Sequence, residues 1–406
     1  MTQELSAFLF IKEVFMLTSI AIILLSGLIA GWIFTKLRLP ALLGMMLCGI
    51  IMSPHCLDLL SPSLLGISAD IRQIALVIIL TRAGLSLNLT DLKKIGRPAV
   101  FMSFLPACIE MAAVTIFAPL LLGISYLDAA IIGSIIAAVS PAVIVPRMIK
   151  LIDEGYGCKK RIPQLILAGA SVDDVFVIVV FYAFTALAST GKMAFSDLAQ
   201  IPLAIISGIL LGCVCGIIMV WFFRKHHVRD TVKVLILISL SFILLEIEAM
   251  LKGVIPLSAL LAIMSMAIMI NQKYDILARR LSAKYNKLWL GAEIFLFVLV
   301  GAAVDIEYAV SAGAAMVILI ILSVIFRMGG VALSVMGTEF SAKDRLFCMA
   351  AYTPKATVQA AIGTIPLSMG LSCGTAALTA AVVAILITAP FGAVCIDNLY
   401  KRLLEK

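Results

Sequence analysis

Apolar residues fill this chain in long runs, and short polar stretches separate them. A membrane-spanning helix needs about 20 mostly apolar residues. By that rule the pattern predicts thirteen spans. The first six lie at 15–35, 40–56, 70–90, 98–122, 127–150 and 163–188, and a seventh at 199–223. The last six lie at 231–251, 255–271, 287–304, 311–336, 342–368 and 373–398. No Ser/Pro-rich linker or low-complexity segment interrupts them. The expected fold class is an all-α polytopic membrane protein, with residues 1–406 forming a single membrane domain. Lys12 stands beside Glu4 and Glu13, and the apolar run after it is long enough to span, so no cleaved signal is expected.

Composition strengthens this reading. The chain is 63% hydrophobic and 13% charged, against roughly 45–50% and about 25% in soluble domains. So much apolar surface needs the bilayer as its solvent. That excludes a soluble enzyme, a disordered chain and a nucleic-acid-binding protein. Nine Cys are scattered without a C-x-x-C pair and read as small apolar residues.

The net charge of +8 matters through its placement. Loops after odd-numbered spans hold 24 of the 31 basic residues, in clusters such as Lys159-Lys160-Arg161 and Arg224-Lys225. The opposite side holds only Lys12, Arg72, Lys192 and Lys252. The positive-inside rule then places the amino terminus outside and the carboxyl terminus in the cytoplasm, with the plasma membrane as the default location.

Thirteen spans divide as six, one and six. With an odd linker helix, two six-helix halves, 15–188 and 231–398, would lie in opposite orientations about the linker 199–223. Inverted repeats of this kind are a transporter architecture with a site near the midplane. Anomalies fall at matching places in the two halves. The fifth span of each is broken by proline, at Ser140-Pro141 with Pro146 and at Thr353-Pro354. The fourth carries one deep charge, Glu110 in one half and Arg327 in the other. An ordinary proline kink and a snorkelling charge are the plainer alternatives.

Ionisable groups at this depth are functional candidates by default. Asp173-Asp174 is the sharpest signal. If the helix starts at Pro163, the pair lies about 15 Å into the span, near mid-bilayer. A start at Ser171 would instead make the acids cap residues, and would strand the apolar octet 163–170 outside the membrane. A buried carboxylate holds either a dehydrated cation or a proton, and that competition combined with alternating access is obligatory exchange. An intramembrane aspartyl protease is the catalytic rival, but adjacent residues point about 100° apart and do not face one another. The broken helices free backbone carbonyls that can ligate a cation. Ser140, Thr353 and Thr357 add hydroxyls, and Lys355 is placed to neutralise the carbonyl ends. Arg327 is placed to pair with Glu110 or with Asp173. Arg82, Glu246 and Glu248 read as near-interface residues, and His226-His227 as part of a solvated loop.

These residues resemble the monovalent cation:proton antiporters, and most closely the NHA-type sodium/proton exchangers. The resemblance covers nearly the whole chain. It rests on Leu80-Thr81-Arg82-Ala83-Gly84-Leu85, Ser140-Pro141-Ala142-Val143-Ile144-Val145-Pro146, Ser171-Val172-Asp173-Asp174 and Pro354-Lys355-Ala356-Thr357-Val358-Gln359-Ala360-Ala361. It implies the sodium/proton antiporter fold with crossed, broken fifth helices, and a homodimer. Spans 4–6 and 11–13 would form a mobile core that moves like an elevator past a scaffold of spans 1–3 and 8–10. Na⁺ or Li⁺ would bind at Asp174 with Asp173 as its companion, in exchange for H⁺, with K⁺ less favoured and no cofactor required. Electrogenic members are expected to carry Lys where this chain has Arg327. Arginine effectively never loses its proton, so one proton per ion is expected here. The main alternative is a sodium-coupled organic anion symporter, with Arg327 and Lys355 as its anion site. A channel or a membrane sensor is the reading from a further class.

Overall fold

A computed structural model describes residues 16–86, 96–190, 195–251 and 257–406. Lys12, Lys192 and Lys252, together with Lys93 and Lys94 of the loop after the third expected span and with Glu4 and Glu13 beside Lys12, lie outside the described residues. The described residues are helical with short connections.

The first half opens with α1 (Met16–Lys36), α2 (Ala41–Met52), the short α3 (Pro62–Gly66) and α4 (Ser68–Ser86). Pro54 follows Ser53 and stops α2 after 12 residues. Next come α5 (Arg97–Met102), α6 (Leu105–Leu122), α7 (Tyr126–Ile136), α8 (Pro141–Glu154) and α9 (Ile162–Thr190). The linker region forms α10 (Phe195–Lys225). The second half holds α11 (Asp230–Leu251), α12 (Ala259–Lys273), α13 (Asp275–Ala302), α14 (Ile306–Ser311) and α15 (Gly313–Ser334). It closes with α16 (Ala342–Ala351), α17 (Thr357–Ile362), α18 (Ile365–Ser368) and α19 (Gly374–Leu403).

Among the described residues, nine helices are long and apolar enough to cross a membrane. The runs at 40–56 and 255–271 fold as the shorter apolar helices α2 and α12. The run at 70–90 becomes α4, which carries Asp70, Arg72 and Arg82. The run at 342–368 becomes the interrupted series α16, α17 and α18. One boundary differs substantially. The span expected at 287–304 begins twelve residues earlier, at Asp275. Leu277, Ala278, Leu281 and Tyr285 bury one face of that extension, while Arg279, Arg280, Lys284 and Lys287 stay exposed on the other. A helix can leave the bilayer without ending when its polar face meets water.

Packing sorts the helices into two groups. In one, α2 and α4 pack on α13, and α10 and α4 pack on α12. In the other, α6 packs on α15 and α7, and α9 on α7 and α8, with α16 on α19. Fewer contacts join the groups, chiefly α9 with α10 and α17 with α4 and α13. Small residues let the first group close up. A Cβ on Gly212 of α10 would stand 2.2 Å from the Ala262 carbonyl oxygen of α12, and one on Gly49 of α2 would stand 2.0 Å from that of Val298 in α13. Without lipid-independent hydrophobic driving force, such backbone approach is what holds membrane helices together.

The two halves also share a capping device. Ser125 caps α7 by accepting from the Asp128 N–H, and Ser341 caps α16 in a capping box with Asp344. Each aspartate then reaches across to the other half. Asp128 accepts from the Ser372 hydroxyl at 3.1 Å, and Asp344 meets the Lys160 ammonium at 2.6 Å. The hydrogen bond to Asp344 holds Lys160 above the ordinary lysine range.

Candidate functional site

The site forms where two helices break. The α7–α8 pair is interrupted at 137–140, and the α16–α17 pair at 352–356. Proline explains both. Pro141 starts α8 with no N–H to donate and holds Ser140 in an extended conformation (φ −95°, ψ 109°). Pro354 lies in the second break, three residues before α17 begins, and likewise brings no N–H to donate. The breaks touch, since the Ser140 N–H donates to the Pro354 carbonyl at 2.7 Å.

Freed carbonyls then outnumber freed N–H groups, and cationic side chains supply the missing donors. Arg327 of α15 donates to the Ala137 carbonyl of the first break and, at 2.8 Å, to the Tyr352 carbonyl of the second. Lys355 donates to the Ile136 carbonyl at 2.5 Å, and the Gln359 amide donates to that of Ala138 at 2.8 Å. The Val139 N–H finds the Asp173 carboxylate at 2.9 Å. These groups are fully buried, so each bond replaces one that water would otherwise make.

The same cations pair with acids. Arg327 sits 3.0 Å from Glu110 and 2.8 Å from Asp173, and Lys355 sits 2.6 Å from Glu110. Both partners open to Arg327 in the sequence are therefore used at once. Two guanidinium or ammonium charges are balanced by two carboxylates, and this network is electrically closed. Asp174 is not part of it. It makes no ion pair among the described residues, and its Oδ1 is buried without a hydrogen-bond partner there.

The backbone explains why neighbours differ so sharply. α9 starts at Ile162, with Pro163 in its first turn, so both aspartates lie well inside the helix and neither caps it. Successive residues on a helix diverge by about 100°. Asp173 turns to Arg327, while Asp174 turns into a cleft lined by Leu76, Leu80 and Ala83 of α4, Met264 of α12, and Thr357 and Val358 of α17. That cleft lies between the two helix groups. Two carboxylates aimed at different partners do not make a proton-sharing protease dyad.

The remaining expected residues fall as follows. Ser140 is buried at the first break with an unpartnered hydroxyl. The Thr353 hydroxyl donates to the Ala350 carbonyl at 2.9 Å. Glu248 accepts from the Ala259 N–H at 3.0 Å and so caps α12, while Glu246 is exposed. His226 and His227 are exposed beyond α10. The sequence reading missed Glu293 of α13, which interacts electrostatically with Arg82. A lone acid inside the expected span 287–304 was the signal for it. Arg72, counted above among the few basic residues on the outer side, is buried with two of its guanidinium nitrogens unpartnered among the described residues. All nine cysteines are free thiols.

Broken helices that meet over a buried carboxylate pair, in a bundle of membrane-spanning helices, define the fold of a monovalent cation:proton antiporter. Comparison with known proteins agrees. Residues 20–399 match the family described as sodium/hydrogen exchanger, transmembrane. The chain belongs to this family. It is 33% identical over 382 residues to the sodium/hydrogen exchanger 9B2 of Mus musculus, covering 91% of this chain and 69% of that protein. It is 30% identical over 407 residues to the 9B1 exchanger of Homo sapiens, covering 95% and 78%. Its fold superimposes on the sodium proton antiporter MjNhaP1 from Methanocaldococcus jannaschii with a TM-score of 0.82, at 20% identity and covering 95% of this chain and 98% of that one.

Proposed function

We propose that this protein exchanges Na⁺ or Li⁺ for H⁺ across the membrane, one for one, with Asp174 as the site for which ion and proton compete. One observation carries the reading. Glu110, Asp173, Arg327 and Lys355 close their charges among themselves, and Asp174 alone is left over at the cleft. The exchanger names of its relatives support the choice of ions.

The leftover charge gives the mechanism its stoichiometry. With Na⁺ or H⁺ on Asp174, the buried site is neutral. With Asp174 empty and ionised, it carries one uncompensated negative charge. Moving such a charge through an apolar gap costs roughly 2.5–3.5 kcal/mol on the lenient scale, about two orders of magnitude in rate. Loaded forms cross and the empty form lags, so the two fluxes are coupled. One carboxylate holds one cation or one proton, which makes the exchange electroneutral. Asp173 is engaged by Arg327 and by the Val139 N–H, and in this reading it stays out of the count.

In this reading α5 to α9 and α15 to α19 form the core, which slides like an elevator against the scaffold of α1 to α4 and α11 to α13, with α10 as linker. The two sequence halves, 15–188 and 231–398, are inverted repeats, and each contributes helices to both groups. Ser140 and Thr353 belong to the breaks and not to the lining of the Asp174 cleft. The protein acts as a homodimer in the plasma membrane, with its amino terminus outside and its carboxyl terminus in the cytoplasm. The organic anion symporter is disfavoured, because Arg327 and Lys355 are already spent on acids and carbonyls.

The test is proton flux in proteoliposomes, followed with an internal pH dye while Na⁺, Li⁺, K⁺ or choline is added outside. Na⁺- and Li⁺-driven flux that disappears in Asp174→Asn is expected. Folded protein that moves no protons with any cation would overturn the reading.

A further inference from the structure

We propose that Thr357 is a direct ligand of the transported cation, its hydroxyl oxygen completing the site that Asp174 begins. This deepens the exchange reading and rests on it.

Hydroxyls inside membrane helices ordinarily bond back to a carbonyl three or four residues earlier. This chain follows that habit. Thr81 donates to Val77, Thr388 to Ala384, Ser241 to Leu237 and Ser334 to Gly330, all at 2.7–2.8 Å. Thr357 departs from it for a local reason. It is the first residue of α17, and the chain before it, 352–356, is not helical. The carbonyl of a preceding turn is therefore missing from its reach. Its Oγ1 is buried, at 1% exposure for the residue, and has no hydrogen-bond partner among the described residues. Leaving a buried hydroxyl unpaired is destabilising, so its retention asks for a partner that is not a protein group.

Position supplies that partner. Thr357 lines the same cleft as Asp174. Among the described residues, the other buried unpartnered hydroxyls, of Ser53, Ser140, Tyr285 and Thr379, line no part of it. A dehydrated monovalent cation needs several oxygens, and one carboxylate offers two at most. A neutral oxygen adds coordination without adding charge, which preserves the one-for-one count. The segment holding it is also fixed on both sides. The Lys355 N–H donates to Thr388 at 3.0 Å, and the Gln359 amide is anchored on Ala138. A ligand on so rigid a support favours cations of one size.

Thr357→Val removes the hydroxyl at constant shape, Thr357→Ala removes it with less bulk, and Thr357→Ser keeps it. The half-saturating Na⁺ and Li⁺ concentrations for proton flux would be measured in proteoliposomes, beside Na⁺-dependent thermal stabilisation in detergent. Both hydroxyl-free variants should raise half-saturation by about tenfold or more, with the maximal rate near that of the parent. Na⁺ should no longer raise their melting temperature at concentrations that stabilise the parent. Thr357→Ser should restore both. Parental half-saturation in Thr357→Val or Thr357→Ala overturns the proposal, as does a lower maximal rate with half-saturation unmoved. Asp174→Asn in the same assay separates the two ideas. If it keeps Na⁺-dependent flux, the exchange reading at Asp174 fails. If it abolishes flux while the Thr357 variants behave like the parent, only the Thr357 ligand is lost.

Discussion

Glu110 is the acid on which both buried cations converge, and its removal gives a sharp test of the charge network. Glu110→Gln keeps shape and polarity but deletes the charge. Arg327 would still hold Asp173 and two carbonyls, whereas Lys355 would keep only the Ile136 carbonyl. Breaking one side of a fully buried pair is expected to destabilise by about 3–5 kcal/mol. Adding Lys355→Gln removes the stranded charge and leaves an amide for Ile136. The two changes should therefore couple, and the double variant should recover about 1–3 kcal/mol relative to the sum of the singles. At about 2 °C per kcal/mol for a large chain, that is a fall of roughly 6–10 °C for Glu110→Gln, with several degrees regained on coupling. Thermal unfolding in one detergent at one scan rate gives the comparison, because such unfolding is read as a rate. Strictly additive losses would show that Glu110 and Lys355 do not compensate one another, and the closed-network account of Asp174 would fall with it.

Two further outcomes are expected. Arg327→Lys should preserve binding of Asp173 but introduce a base able to release a proton, so exchange should become voltage-sensitive under a clamped potassium-diffusion potential. Unchanged stoichiometry and pH profile would remove the link between arginine and one-for-one exchange. Gly212→Ala places a Cβ 2.2 Å from the Ala262 carbonyl oxygen and should destabilise by about 1–3 kcal/mol, whereas Gly291→Ala, with nothing within 4 Å, should melt like the parent. Equal melting temperatures for both glycine variants would contradict the close packing of α10 on α12.

Much of this was legible because lipid leaves few options. Apolar run length places the helices, and Pro141 and Pro354 mark the breaks, since proline inside a span has predictable consequences. Pro163 sets the start of α9 and hence the depth of Asp173-Asp174. What the sequence left open were choices made in three dimensions. Arg327 had two candidate acids, and the fold brings both to it. Lys355 reads as a partner for carbonyls, and its pairing with Glu110 depends on bringing the second break against a helix residue 245 positions earlier in the chain. Thr353 and Thr357 look alike in the sequence, yet one lies within reach of the Ala350 carbonyl and the other does not. The early start of α13 was hidden because an apolar-run criterion ends at the first cluster of basic residues, although the helix continues through it.

The charge network has a consequence for how the protein is made. Its acids, Glu110 and Asp173, belong to the first half of the chain, as Asp174 beside them does, and its bases, Arg327 and Lys355, to the second. Arg327 is 154 residues downstream of Asp173 and 217 downstream of Glu110. At ribosomal speeds of about 5–20 residues per second, the acids wait roughly 8–40 s for their partners. During that interval the insertion machinery must keep α6 and α9 in a wet vestibule or let them enter lipid with protonated carboxyls. Completion of the network is thus also the step that commits the first half of the chain to its place in the bilayer.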